Sequence, residues 1–353
     1  MSSSSSNIDI IDTIPFEDIE LATNNFADEN LLTQTSYLKL YKGRLVQSSG
    51  ELVDIVVRTW KHTITSYYEY QTQKSITHNE LDMLEALRHK NIVPIFKIYG
   101  ANDGGILHPV IINKHEANGS LDKHLSSSTL GWIQRLHICI GIARALSYLH
   151  YDAYENHKVI HGNIKSSKIL LDQVWEPKLH GFGFAVKVKR NELHLTDKYN
   201  GSILYMDPAY ETARDLTTKS DVFSFGVVLF EVLFGIEASV VTLDHKDNWY
   251  FVRMARANYE EKTLDEKIDP DLLKQMNMES LKIFSETAYF CLKERRLERP
   301  DMKKVFQRLE KALKLQPADD QSPVRPSICQ TLVFTFFVLL STYLSIYYNG
   351  PIY

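Results

Sequence analysis

The segment IHGNIKSSKILLD, residues 160 to 172, concentrates side chains that can act on hydroxyl groups and anions. Asn163 stands near its start, between His161 and Lys165. An asparagine amide can hydrogen-bond a hydroxyl, but it cannot take up the hydroxyl proton in the physiological pH range. The segment therefore contains a group that can orient a hydroxyl but, at this position, no general base.

Metal chemistry is not indicated by the ligand-type residues. Five histidines crowd the same region: His150, His157, His161, His180 and His194. Their spacing matches no zinc pattern. The chain has three widely separated cysteines, Cys139, Cys291 and Cys329. These form neither a disulfide framework nor a metal site, and the first two are predicted to be buried small apolar residues on helices.

Composition limits the class of protein. The chain has 353 residues, of which 44% are hydrophobic and 24% are charged, and its formal net charge is −4. These values are ordinary for a soluble globular protein and give no reason to expect nucleic-acid binding. The length predicts two structural units or one bilobal domain.

The first half of the chain is predicted to be a small mixed sheet with one main helix. Between about residues 31 and 115, short β-type runs such as LVDIVVR and NIVPIFKIYG surround one helical stretch, THNELDMLEALRH. Leu81, Leu84 and Leu87 form an apolar stripe on that helix. Ahead of the sheet, FEDIELATNNF predicts a short helix sealed by three apolar side chains, Phe16, Ile19 and Leu21.

The second half is predicted to be mostly helical. In GWIQRLHICIGIARALSYLH, apolar residues recur at helical spacing: Trp132, Leu136, Cys139, Ile140, Ala143 and Leu146. SDVFSFGVVLFEVLFG is apolar almost all round and predicts a central buried helix that starts at Ser220 or Asp221 and ends at Gly235. Two more helices are predicted over residues 280–293 and 302–315.

The two ends of the chain differ from the part between them. Residues 1–13 are Ser-rich and predicted to be a disordered leader, with the ordered domain starting near Ile14. At the other end, residues 317–327 form a polar linker that contains proline.

A hydrophobic segment follows the linker. Residues 328–348 carry no charge, and about 20 such residues are enough to cross a bilayer. Lys311, Lys314 and Arg325 precede this segment, which would keep the main domain on the cytosolic side of a membrane. The alternative is a hydrophobic tail that does not span a membrane.

The order of these pieces resembles the protein kinase fold, and more closely the plant receptor-like and receptor-like cytoplasmic kinases. Eight motifs carry the resemblance: ELATNNF, LRHKNIV, ANGSL, ARALSYLH, HGNIKSSKILLD, YMDPAY, KSDVFSFGVVLFEVL and RLERPDM. The resemblance implies an α+β, bilobal domain over residues 14–316. Its small mixed-sheet lobe covers about residues 14–115, and its larger, mostly helical lobe covers about residues 116–316.

The groups that hold the nucleotide in this family are altered here. In the family a Gly-rich loop covers the phosphates, and a strand lysine pairs with a helix glutamate. The positions of the loop glycines are occupied by Thr33, Thr35 and Leu38, whose side chains should obstruct or reshape the cover. Arg58 replaces the strand lysine and Glu80 matches the glutamate. Because an arginine fork differs in shape and length from an ammonium, this pair is predicted to be structural.

The resemblance also implies a catalytic aspartate and two side chains that hold magnesium, and all three are replaced. Asn163 stands for the aspartate, and Gly162 replaces the arginine before it. Lys165 matches the lysine that neutralises phosphate in the family. Lys168 and Gly181 occupy the two metal-binding positions, and neither side chain offers the oxygen ligand that magnesium requires.

Several other positions of the family pattern bear on structure and regulation. Three residues are predicted to be structural: His161, Asp221 and Arg299. The family's partner for Arg299 is a glutamate after Pro208, but Ala209 stands there, so the substrate-docking segment is expected to be less rigid. Three hydroxyl groups in the activation segment are candidate phosphorylation sites: Thr196, Tyr199 and Ser202.

These observations favour a pseudokinase, a signalling scaffold or allosteric partner with little or no phosphotransfer. Two alternatives stay open: an atypical serine/threonine kinase that transfers phosphate from ATP to protein, and a non-catalytic ATP-binding switch. The pseudokinase interpretation needs no cofactor, and the alternatives imply ATP without magnesium, with Lys168 in place of the metal charge. Expected partners are other protein kinases or receptor complexes. The domain is expected in the cytoplasm, either free or anchored by residues 328–348 at the plasma membrane or an endomembrane.

Overall fold

A computed structural model describes most of the chain between residues 14 and 317. The described ranges are 14–34, 38–46, 50–60, 67–99, 110–196, 201–245 and 247–317. Within them the chain forms a sheet-containing first lobe and a mostly helical second lobe. The predicted α+β, bilobal architecture is confirmed.

The first lobe is built on a five-stranded sheet. Its strands are β1 (Leu31–Gln34), β2 (Leu38–Val46), β3 (Leu52–Trp60), β4 (Ile95–Tyr99) and β5 (Val110–Lys114). They lie in the order β1-β2-β3-β5-β4, and all pairs within the sheet are antiparallel, where a mixed sheet was predicted. Alternate residues of β3, Ile55 and Val57, are fully buried because one face of the sheet covers the lobe's core.

Two helices belong to this lobe. Helix α1 (Phe16–Ala22) buries Ile19 in the core of the lobe, as predicted. Leu21, which was predicted to help seal this helix, is 75% exposed, because the short helix turns only one narrow face to the sheet. Helix α2 (Tyr67–Ala86) buries Leu81 and Leu84, so the predicted apolar stripe is confirmed there.

The second lobe contains the remaining helices and several short strands. The helices are α3 (Trp132–Ser147), α4 (Ala209–Ala213), α5 (Thr218–Phe234), α6 (Ala238–His245), α7 (Tyr250–Glu260), α8 (Pro270–Leu273), α9 (Met278–Cys291) and α10 (Met302–Lys314). The strands are β6 (Gly119–Ser120), β7 (His157–Ile160), β8 (Ile169–Leu171), β9 (Pro177–Leu179), β10 (Val186–Lys189), β11 (His194–Leu195) and β12 (Asp215–Leu216).

Helix α5 is the centre of the second lobe, as its apolar sequence predicts. It is buried at every position from Ser220 to Phe234. The predicted start is wrong by a few residues: Thr217 is the N-cap, and Ser220 completes a capping box with it. The predicted end is confirmed, since Gly235 closes the helix with φ at +71°, a conformation that glycine adopts without strain.

The helices around α5 also follow the sequence pattern. The six residues of the predicted stripe on α3 are buried, Cys139 among them, and Cys291 is buried at the end of α9. Helices α9 and α10 begin and end within two residues of the predicted bounds, 280–293 and 302–315.

Some predictions fall on other parts of the chain. The leader at residues 1–13, most of the linker, Cys329 and the hydrophobic segment 328–348 lie outside the described residues. Within the described ranges, no helix has the length and apolar character of a membrane span.

Candidate nucleotide cleft

A cleft of about 570 Å³ lies between the two lobes. Leu40 and Val56 line it from the sheet, and Leu170 lines it from the second lobe. Of the positions predicted to form a phosphate cover, Thr33 and Leu38 line the cleft, and Thr35 lies outside the described residues. The volume falls in the range of small-molecule sites, about 300–1,000 Å³.

Arg58 and Glu80 join the sheet to α2 at the back of the cleft. Arg58 Nη1 lies 2.7 Å from Glu80 Oε2, and both side chains are largely buried, so the predicted pair is formed. Burial alone would raise the pKa of Glu80, but the guanidinium of Arg58, with His180 and Lys168 farther off, holds this pKa below its usual value. The Glu80 carboxylate is therefore already ion-paired with Arg58.

A second polar contact of α2, made with the loop after β9, was not predicted. Asn79 Nδ2 donates to the carbonyl oxygens of Gly183 at 3.0 Å and Ala185 at 2.8 Å. A Cβ on Gly183 would overlap with Ile76 Cγ2, so only glycine allows this loop to approach the helix so closely. The one signal in the sequence is an asparagine, a weak helix former, within a helical stretch.

Asp221 holds the backbone of the segment that contains Asn163. Its carboxylate accepts hydrogen bonds from the backbone N–H groups of His161 at 2.8 Å and Gly162 at 2.9 Å, and it contacts His150 Nε2 at 2.9 Å. His161 is buried, and burial lowers its pKa to about 4, so the ring is neutral. These are the contacts expected of the structural role predicted for Asp221 and His161.

Asn163 faces the activation segment. The side chain is nearly buried, and Oδ1 accepts a hydrogen bond from the backbone N–H of Ser202 at 3.2 Å. Ser202 is half-buried, Thr196 donates its backbone N–H to Arg214 at 2.9 Å, and Tyr199 lies outside the described residues. One hydrogen bond to the amide oxygen of Asn163 therefore links this residue to the activation segment.

Lys168 and Gly181 meet at the position that the family gives to metal-binding side chains. A Cβ on Gly181 would lie 2.8 Å from Cδ, 3.0 Å from Cε and 3.1 Å from Nζ of Lys168. The end of the lysine side chain therefore runs directly over the glycine. Gly181 has φ at +87°, which adds a second reason for glycine at this position.

These residues do not fit magnesium. The ion demands oxygen ligands in near-octahedral geometry, and the two positions provide an ammonium and a hydrogen atom. Among the described residues, no group of three or more His, Cys, Asp or Glu side chains is placed to hold a metal ion. Glu80, the carboxylate at the back of the cleft, is paired with Arg58.

Arg299 has a partner that the sequence analysis missed. Its Nη2 lies 2.7 Å from Asp207 Oδ1, and Arg296 Nε lies 2.7 Å from the other oxygen of the same carboxylate. The substrate-docking segment was expected to be less rigid because Ala209 cannot pair with Arg299. That premise is wrong, because Asp207, two residues earlier, supplies the carboxylate. The motifs YMDPAY and RLERPDM contain both partners, which is the signal that could have identified the pair.

The sequence profile described as "Protein tyrosine and serine/threonine kinase" matches residues 27–309, so the chain belongs to this protein kinase family. Its relatives include plant receptor-like protein kinases. The chain is 34% identical over 311 residues to the receptor-like protein kinase FERONIA of Arabidopsis thaliana, an alignment that covers 87% of this chain and 33% of that protein. It is 35% identical over 311 residues to ANXUR1 of the same plant, with 86% and 34% covered. The chain spans about a third of the length of these relatives.

Proposed function

We propose that this member of the receptor-like kinase family is a pseudokinase, which acts in signalling by binding other proteins and does not transfer phosphate. The observation that carries the proposal is the contact between Lys168 and Gly181. It fills the place of two metal ligands with a cation, in a family whose chemistry depends on metal and electrostatic stabilisation of phosphate.

The state of Asn163 supports the same conclusion. A base at this position would have to take a proton from the substrate hydroxyl, and an amide cannot do so. The amide oxygen is also engaged by the Ser202 N–H. Loss of the base and loss of the metal ligands each remove several kcal/mol of transition-state stabilisation, where about 1.4 kcal/mol is tenfold in rate.

The preserved scaffold supports a binding role. The contacts of Asp221, Arg299 and Asn79 keep the two lobes in ordered form although the chemical groups are replaced. Since the relatives are receptor-like kinases, the partners we propose are other protein kinases or receptor complexes. We further propose that residues 328–348 anchor the domain on the cytosolic side of a membrane.

The test is a phosphotransfer assay on the purified full-length chain, with labelled ATP and a generic protein substrate, in magnesium, in manganese and in chelator. We expect no transfer in any of the three conditions. A triple variant, Asn163→Asp with Lys168→Asn and Gly181→Asp, restores the three side-chain types that the family uses, and we expect measurable transfer in magnesium from it alone.

Labelling by the wild-type chain that Arg58→Ala abolishes would overturn the proposal. Such labelling in chelator would establish the atypical kinase that works without magnesium. Labelling that persists in Arg58→Ala would instead identify a contaminating kinase, and the proposal would stand.

A further inference from the structure

The cleft has an excess of positive charge. Its charged lining residues are Arg58, Lys114, Lys123 and Lys168 on the basic side and Glu80 and Glu116 on the acidic side. Glu80 is paired with Arg58. Glu116 is buried, its two carboxylate oxygens have no hydrogen-bond partner among the described residues, and burial raises its pKa. Four basic side chains therefore line the cleft against two carboxylates, one of which is paired with Arg58.

Lys168 is a partly buried cation of this lining. Its side chain lines the cleft beside Gly181, and its Nζ has neither a hydrogen bond nor an ion pair with any described residue. Burial lowers its pKa, and Lys165 and Arg58 lower it further, while Glu80 acts in the opposite direction. An unpaired, partly buried ammonium is unfavourable unless an anion compensates it.

The walls of the cleft show what kind of anion it accommodates. Leu40 and Val56 above and Leu170 below leave an apolar slot, which suits a flat aromatic base better than a second charged group. Lys168 and Arg58 line the same cavity. A ligand with a flat apolar part and a chain of phosphates suits both kinds of lining residue.

We propose that the cleft binds the phosphate chain of a nucleoside di- or triphosphate without a divalent metal, with the Lys168 ammonium in place of the ion, and that magnesium opposes this binding. The inference rests on the proposed function, because it assumes that the metal-holding positions are lost. Magnesium bound to the phosphates cancels part of their charge and adds a dication next to Lys168. Both effects weaken the attraction to a cationic cleft.

The experiment is calorimetric titration of the full-length chain with ATP, ADP, adenosine and inorganic tripolyphosphate, each in chelator and in excess magnesium. We expect ATP and ADP to bind in chelator and to bind about tenfold more weakly in magnesium. Tripolyphosphate that binds as tightly as ATP would show that the site takes free polyphosphate and would overturn the nucleotide assignment. Adenosine that binds as tightly as ATP would overturn the role of the phosphates.

Variants test the role of Lys168 directly. Lys168→Met keeps the length of the side chain and removes its charge, and we expect ATP binding in chelator to weaken at least about tenfold. Gly181→Asp places a carboxylate against the ammonium and should weaken binding in the same condition. Lys311→Met, at an exposed position of α10, is the matched control and should leave binding unchanged.

The pair Lys168→Asn with Gly181→Asp supplies two oxygen ligands and no cation. We expect this pair to reverse the effect of magnesium, so that the ion strengthens ATP binding. Melting curves without ligand show whether each variant is folded. If wild-type binding requires magnesium, or if no ligand binds in either condition, the inference is wrong while the proposed lack of transfer stands. Phosphate transfer by the wild-type chain would instead defeat the proposed function.

Discussion

At the scale of single residues, the replacements at positions 168 and 181 are separate in the sequence but adjacent in the structure. Lys168 and Gly181 are thirteen positions apart, and each was identified from the family pattern as a lost metal ligand. Their contact could not be predicted, because it depends on the path that the lysine side chain takes across the cleft. With that path in place, a Cβ at position 181 would displace the flexible end of the lysine side chain.

The contacts of Asp207 are expected to contribute strongly to the free energy of unfolding, and the first prediction concerns this residue. Its carboxylate binds Arg299 and Arg296, and both Asp207 and Arg299 are almost fully buried. Asp207→Asn leaves the Arg299 guanidinium without its charge partner, so we expect a loss of about 3–5 kcal/mol in the free energy of unfolding, measured by denaturant titration. The control is Arg44→Met, in an exposed pair with Asp54, which should change this free energy by less than about 1 kcal/mol.

The same carboxylate predicts a dependence on pH. Burial alone would raise the pKa of Asp207, but Arg299 and Arg296 hold it below the ordinary value of 3.8. A depressed folded-state pKa means that the stabilisation is present above 3.8 and is lost as the pH falls through the lower folded-state value. The stability difference between wild type and Asp207→Asn should therefore be constant near neutral pH and shrink in acid. A difference that grows in acid would contradict the ion-pair account.

At the scale of elements, α2 is fastened to both lobes by polar contacts at adjacent positions. Glu80 binds Arg58 of β3, and Asn79 binds the loop at Gly183 and Ala185. The helix therefore fixes the back wall of the cleft and the loop that carries Gly181 together. Loss of one of these contacts should therefore weaken the other.

Asn79→Ala tests this coupling. The substitution leaves backbone carbonyl groups of the loop without their donor, so we expect a loss of about 1–3 kcal/mol in the free energy of unfolding. Hydrogen exchange should speed up in residues 181–185 and in α2, while α9 stays protected. The matched control is Gln71→Ala at an exposed position of the same helix, which should alter neither quantity. Equal exchange in both variants would show that the Asn79 contacts do not hold the loop.

Elements with a strong apolar period were predictable from the sequence, and their ends were less so. Helix α5 is apolar almost all round and could only be buried, yet its predicted start at Ser220 or Asp221 lies inside the helix, which Thr217 caps. Leu21 was predicted to be buried, but it lies on the exposed side of the seven-residue helix α1. The Asp207 pair escaped prediction because its partners are ninety-two positions apart and the expected partner was sought only at Ala209.

At the scale of the whole molecule, the contacts that hold the fold and the groups that would do chemistry are different sets. Asp221, Arg299 and helix α5 are buried and hold the second lobe together. The replaced residues, Asn163 and Lys168 among them, cluster around one cleft. Replacement of the chemical groups therefore leaves the contacts of the fold in place, as the proposed binding role requires.

The last prediction concerns how the whole chain is held in the cell. Residues 328–348 are uncharged and long enough to span a bilayer, and basic residues precede them, Lys311 and Lys314 at the end of α10. We expect the full-length chain to sediment with membranes and to stay there after an alkaline wash. Deletion of residues 328–353 should move it to the soluble fraction, whereas deletion of residues 1–13, the control, should not. Because the positive residues favour the cytosolic side, protease added to sealed vesicles with the cytosolic face outward should digest the domain. Full-length protein in the soluble fraction, or a domain protected inside the vesicles, would contradict the proposed anchor and its orientation.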